Sequence, residues 1–74
     1  MKTKQLRYIV TGPGLTTEPS YADAGPALSR TLTEASKIDK GIEATFYARD
    51  SVLDKIVGYT EITKLGAITT RRNP

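Results

Sequence analysis

Two pairs of acidic side chains are the first candidates for chemistry in this 74-residue chain. Asp50 and Asp54 lie around one predicted turn, and Asp39 and Glu43 lie around another. Paired carboxylates can transfer protons or bind a hard cation. Neither pair has the Asp-x-Asp-x-Asp-Gly spacing of a calcium loop, and aspartate is common in turns because it bonds to the local backbone. We therefore interpret both pairs as turn residues.

Hydroxyl side chains are further candidate nucleophiles, but the sequence contains no cysteine and no histidine, and no Ser-Lys pair is visible as a motif. A serine or threonine nucleophile normally needs an adjacent base, which is most often histidine. The same composition excludes disulfides and removes the usual zinc ligands. The sequence therefore predicts a protein that is not an enzyme and that holds neither a metal nor a cofactor.

The segment Gly12-Pro13-Gly14 lies between a predicted strand and a predicted helix, where phosphate-binding loops occur. It fits neither the G-x-G-x-x-G pattern nor the P-loop pattern. Pro13 also lacks the backbone N–H that a phosphate cradle would use. We interpret the segment as a plain turn.

The basic residues are concentrated at the ends of the chain, although the formal net charge is only +3. Lys2, Lys4 and Arg7 lie at one end, and Arg71 and Arg72 lie at the other. Residues 8–70 carry six basic against eight acidic side chains. Basic ends keep a small domain soluble, and they can also contact phosphate or an acidic protein. With no membrane-length apolar run and no secretory signal pattern, the expected location is the cytoplasm.

Alternating and helical spacings predict one domain over residues 1–74, with basic, flexible ends at 1–4 and 71–74. Strands are predicted over 4–11, 43–49 and 55–63, with a weak edge strand at 67–71, and a helix is predicted over 23–38. The fold class is α+β, a two-layer β-α-β-β(-β) domain with one helix on a three- to four-stranded, mainly antiparallel sheet. The predicted core comprises Leu6, Tyr8, Val10, Leu28, Leu32, Ala35, Ile38, Phe46, Ile56 and Ile62. Gly58 is expected to mark a bulge or a close approach of two backbones.

One helix covers one face of such a sheet, so the other face is predicted to be open. Alternation places nine side chains there: Arg7, Ile9, Thr11, Thr45, Tyr47, Arg49, Val57, Tyr59 and Glu61. Tyrosine and arginine are enriched in binding hot spots. A half-exposed antiparallel sheet can carry the same residue types with no further role.

We expect a small non-catalytic binding protein that acts through its open face or an edge strand on another protein or on a second copy of itself. The alternative is a nucleic-acid-binding accessory protein, in which arginines contact phosphate or bases and tyrosines stack on unpaired bases. Both hypotheses use the same candidate binding residues, which are Arg7, Ile9, Tyr47, Arg49, Tyr59, Arg71 and Arg72.

Overall fold

The computed structural model describes residues 5–73, which form one helix packed on one face of a five-stranded sheet. Residues 1–4, with the predicted basic side chains Lys2 and Lys4, and residue 74 lie outside the described residues. The elements are β1 (Tyr8–Thr11), β2 (Ser20–Tyr21), α1 (Ala24–Ser36), β3 (Ala44–Asp50), β4 (Lys55–Ile62) and β5 (Ile68–Arg72). The sheet order is β2-β1-β3-β4-β5, and every neighbouring pair is antiparallel. The predicted α+β class is confirmed.

The sheet has five strands, whereas three to four were predicted. The unpredicted strand is β2, which has only two residues, Ser20 and Tyr21. The chain turns at Gly12–Gly14 and runs back along β1, where the Val10 N–H donates to the Pro19 carbonyl at 2.9 Å. A periodic pattern needs at least four residues to be recognised, so a two-residue strand gives no signal in the sequence. The weakly predicted last strand is present as β5, at the edge of the sheet.

The core is narrower than predicted because small residues of α1 face the sheet. Ala27, Thr31 and Ala35 recur every four residues along the buried stripe of the helix. Leu32 therefore lies to the side of that stripe and is 44% exposed, and Leu6 precedes β1 and is 62% exposed. The prediction that Leu6 and Leu32 belong to the core was wrong. The buried apolar residues are Val10, Ala27, Ala35, Phe46, Ala48 and Ile62.

Three threonine hydroxyls link the helix to the sheet. Thr31 of α1 lies 2.8 Å from the hydroxyl of Thr60 on β4, which lies 2.7 Å from that of Thr70 on β5. The Thr31 hydroxyl donates to the carbonyl of Leu28 at 2.6 Å. Because each hydroxyl has one proton, Thr60 donates to Thr31, and Thr70 donates to Thr60. The chain of bonds satisfies both fully buried threonines.

A β-bulge changes the side-chain directions at the start of β4. The register between β3 and β4 shifts between Ala48 and Arg49, so that Val57 is the extra residue. Val57 packs against the buried core, whereas Ile56 pairs with Arg49 on the opposite face. The prediction that placed Ile56 in the core and Val57 on the open face was therefore wrong.

Gly58 lies where α1 and β5 both approach β4 closely. A Cβ at this position would overlap the Leu28 side chain and would lie 2.8 Å from the Arg71 carbonyl oxygen. The sequence prediction of a bulge or a close backbone approach is confirmed on both counts.

Candidate functional site

The face of the sheet opposite α1 carries a continuous set of side chains from all five strands, which we call the open face. Cross-strand partners point to the same side of a sheet, so the register identifies its members. One row of partners runs across four strands as Thr11, Tyr47, Tyr59 and Arg71. The complete open face comprises Ile9, Thr11, Ser20, Thr45, Tyr47, Arg49, Ile56, Tyr59, Glu61, Thr69 and Arg71.

Two tyrosines form the centre of the open face. Tyr47 is on the middle strand β3, and Tyr59 is directly opposite it on β4. Their ring centroids are 6.2 Å apart and the rings are tilted by 44°. This is a favourable arrangement for an aromatic pair. Tyr47 is nevertheless 40% exposed, so its ring offers apolar area and a hydroxyl to a partner.

The charged groups around the tyrosines are balanced in sign. The Arg49 guanidinium donates to the Asp54 carboxylate at 2.9 Å. Glu61 and Arg71 lie on the same face, and within residues 5–73 neither has an ion-pair partner within 4 Å. Two cations and two carboxylates therefore surround the aromatic centre, so the formal charge of this group of four side chains is zero.

Arg7 differs from the other predicted binding residues because its side chain is held by a buried carboxylate. Its guanidinium donates two hydrogen bonds to Asp50, of 2.8 and 2.7 Å, and lies 5.4 Å from the centroid of the Tyr8 ring. The Arg7 carbonyl also accepts bonds from the backbone and hydroxyl of Ser51. These contacts connect the start of β1 to the turn after β3. The Arg7 side chain is therefore held by Asp50 and does not belong to the open face.

Asp50 is the buried partner in this anchor, with a side chain that is only 3% exposed. The fork of bonds from Arg7 is the main reason that the pKa of Asp50 is lowered to about 2, against the opposing effect of burial. The backbone N–H groups of Val52 and Leu53 also donate to Oδ1 and stabilise the ionised form. The same interaction raises the pKa of Arg7 above its usual value.

Arg72, also a predicted binding residue, points to the other side of the sheet from Arg71. It pairs with Gly58, whose close neighbour is Leu28 of α1, so Arg72 is on the helix side of the edge strand. Arg71 and Arg72 are the last two residues of β5, which extends one residue beyond the edge strand predicted over 67–71.

One end of the sheet gathers basic residues from four strands or their flanks, and we call it the basic end. The antiparallel pairing brings the start of β1, the end of β3, the start of β4 and the end of β5 together. Two carboxylates, Asp50 and Asp54, lie in the same region and neutralise part of its charge. The basic side chains are Arg7, Arg49, Lys55, Arg71 and Arg72.

A shallow cleft of about 290 Å³ lies at the opposite end of the sheet, between β3 and β4. Its lining comprises the carboxylates Glu43 and Glu61 together with Ala44, Thr45, Ile62 and Thr63. Within residues 5–73, no group of three or more histidine, cysteine, aspartate or glutamate side chains is placed to hold a metal ion. Two carboxylates alone do not make a catalytic or metal site.

The sequence reasoning thus found most of the open face but missed its extension onto the edge. Ile9, Tyr47, Arg49, Tyr59 and Arg71 lie on it together, whereas Arg7 and Arg72 do not. Ile56, Thr69 and Ser20 were not predicted there. Alternation along the predicted last strand could have found Thr69, but the bulge that turns Ile56 gives no comparable signal.

No family model, curated protein or solved structure matches the chain, so its function has to be argued from these surfaces. In the described part of the chain, no helix has the length and apolar character needed to cross a membrane.

Proposed function

We propose that this chain is a small non-catalytic binding protein that engages another protein through the open face of its sheet. The observation that carries the proposal is the row of Thr11, Tyr47, Tyr59 and Arg71, which crosses four strands with no described element over it. Aromatic side chains surrounded by hydrogen-bonding groups and by charged groups of both signs are typical of protein–protein hot spots. We further propose a cytoplasmic location, which the absence of cysteine fits.

The charge on the open face favours a protein partner over nucleic acid. Arg49 is already paired with Asp54, and Glu61 would repel a phosphate backbone that crossed the tyrosines. Protein surfaces that bind nucleic acid depend on an excess of unpaired cations. A protein partner can complement both signs of charge and bury the aromatic centre.

Replacing Tyr47 tests this proposal. We expect Tyr47→Ala to weaken partner binding by at least about tenfold, as truncation of an interface hot spot does. The partner is isolated with the tagged wild-type chain and identified by mass spectrometry, and its affinity for each variant is measured by calorimetry. Amide shifts of the ¹⁵N-labelled chain on titration with the same partner should be concentrated on β3, β4 and β5.

Leu65→Ala is the matched control, because Leu65 is an almost fully exposed apolar residue in the turn between β4 and β5. It should bind as the wild type does. Unchanged affinity in Tyr47→Ala, or shifts confined to the outward side of α1, would contradict the proposal.

The basic end supports nucleic acid as the second candidate, because it collects five cations against two carboxylates. Arg7 and Arg49 are already paired with carboxylates, which leaves Lys55, Arg71 and Arg72. Of these three, the arginines are the strongest candidates for phosphate contacts, because a guanidinium can donate two parallel hydrogen bonds to a phosphate. Fluorescence anisotropy with labelled single- and double-stranded DNA and RNA at low and moderate salt tests this candidate.

If this second function holds, Arg71→Ala combined with Arg72→Ala should weaken binding at low salt. The slope of log affinity against log salt should fall by roughly 1.4 to 1.8, for two lost phosphate contacts. The double variant Lys37→Ala and Lys40→Ala, which removes two exposed cations near the end of α1, is the control and should leave the slope unchanged. Absence of salt-sensitive binding by the wild type would eliminate this candidate.

A further inference from the structure

The two edges of the sheet differ in their capacity to pair with another strand. β2 has two residues and follows Pro19, whereas β5 has five residues and is largely exposed. An exposed edge strand presents unpaired backbone N–H and C=O groups that can pair with another chain. β5 is therefore the edge on which strand addition is possible.

The phase of the ladder between β4 and β5 shows which backbone groups are free. Thr63 donates to the Ala67 carbonyl, and Asn73 donates to the Val57 carbonyl. Hydrogen-bonded pairs alternate along an antiparallel ladder, so Thr69 and Arg71 bond inward to β4. Ile68, Thr70 and Arg72 then direct their N–H and C=O groups away from the sheet.

We propose that β5 pairs antiparallel with β5 of a second copy of this chain, with the twofold axis at Thr70. The three outward-facing residues are spaced symmetrically about Thr70. The free N–H groups of each strand therefore face the free C=O groups of the other strand. Thr70 pairs with its equivalent, and Ile68 pairs with Arg72 of the second copy. The result is one continuous ten-stranded sheet with a closed, twofold interface.

The charges on the open face are complementary in this register. Glu61 and Thr69 are cross-strand partners, and Thr69 would lie opposite Arg71 of the second copy. Glu61 and that Arg71 are then two strands apart, about 10 Å between backbones, which the two extended side chains can span. Both groups lack an ion-pair partner in residues 5–73 of the single chain. Two glutamates and two arginines alternate about the axis, so the repulsion between the arginines is offset.

The other side of the same strand supports the pairing as well. Ile68 is a large exposed hydrophobic residue on the helix side of β5. In the proposed register the aliphatic part of Arg72 from the second copy covers it, while the guanidinium remains in water. The inference goes beyond the proposed function, because the dimer forms through the edge strand β5 and not through the open face.

Sedimentation velocity over a wide concentration range, in moderate salt, tests the proposal. We expect a wild-type dimer that Glu61→Lys or Arg71→Glu each weakens by at least about tenfold, because each replaces an attraction across the interface with a repulsion between like charges two strands apart. The double variant Glu61→Lys with Arg71→Glu exchanges the two charges and should restore the dimer. Glu43→Lys, a charge reversal outside the edge strand, is the control and should dimerise as the wild type does.

Ile68→Pro provides a second test that does not depend on charge. It removes an outward N–H that the single chain does not use, so circular dichroism should show a retained fold while the dimer is lost. A monomeric wild type, a dimer that resists these variants, or a double variant that fails to recover overturns the edge pairing.

Comparing the dimer of Tyr47→Ala with that of Ile68→Pro distinguishes the edge pairing from the proposed function. Tyr47→Ala should leave the edge dimer intact, because Tyr47 lies two strands from β5. A dimer that is lost in Tyr47→Ala but kept in Ile68→Pro would overturn the edge pairing and would support self-association through the open face instead.

Discussion

Gly12→Ala is expected to destabilise the protein by about 3 kcal/mol, the upper part of the range for overpacked cores. Gly12 directly follows β1, and a Cβ built there overlaps the ring of Phe46. Phe46 is the largest fully buried side chain and cannot turn away into solvent. Because a core of this size supplies only roughly 3 to 5 kcal/mol of net stability, much of the variant should be unfolded at 37 °C.

Urea unfolding followed by circular dichroism measures this loss, and Gly25→Ala is the matched control. Gly25 lies in the first turn of α1, and apart from its chain neighbours a Cβ there would meet no atom within 4 Å. The higher helix propensity of alanine is opposed by Pro26, which disfavours a helical conformation for a non-glycine residue before it. The same substitution at Gly25 should therefore change stability by no more than about 1 kcal/mol.

A double-mutant cycle shows whether the clash with Phe46 is the cause. Phe46→Leu alone is expected to destabilise, but combined with Gly12→Ala it should cost less than the sum of the two single changes. Additive effects would mean that the alanine acts on something other than the ring, and the clash would then not be the cause of the lost stability.

Asp50→Asn is expected to lower the melting temperature at neutral pH by several degrees. The amide keeps the size of the carboxylate but cannot accept both charge-assisted bonds from Arg7. It also weakens the bonds that Oδ1 accepts from Val52 and Leu53, which shape the turn between β3 and β4. The start of β1 and this turn should become the first parts to exchange their amide protons.

The same carboxylate should make the wild type sensitive to acid. Its pKa is about 2 in the folded chain and near 3.9 in an unfolded one, so the unfolded state binds the proton more readily. The stabilisation from Asp50 is therefore complete above about pH 4 and is lost as the pH falls from about 4 to about 2. Melting temperatures measured across this window should fall less steeply for Asp50→Asn than for the wild type.

Asp54→Asn is the control for both measurements, because Asp54 also pairs with an arginine but is 85% exposed. An exposed pair contributes little, so this variant should match the wild type in stability and in its pH profile. Equal effects of the two substitutions would contradict the role assigned to the buried fork. Carbon-detected NMR titration of the Asp50 carboxyl provides a direct reading, and Arg7→Ala should raise its pKa.

The fold class and much of the open face could be predicted because they depend on patterns that are local in the sequence. Alternation over 43–49 identifies Tyr47 and Arg49 as neighbours on one face. Helical spacing predicts a helix over 23–38, which is one residue longer at its start and two residues longer at its end than α1. Gly58 also indicated its role, since a glycine within a strand commonly marks a bulge or a close approach. Each of these signals needs only a few consecutive residues to be read.

What the sequence determined alone is therefore one sheet of mainly antiparallel strands with a helix on one side. The tertiary structure decided which face each side chain joined at the bulge, and it moved Ile56 out of the core and Val57 into it. It also decided that Arg7 donates hydrogen bonds to Asp50, which is 43 residues away in the sequence. Arg71 and Arg72 were placed on opposite faces of the edge strand β5. These outcomes depend on register between distant strands, which local spacing does not encode and which only the packed sheet fixes.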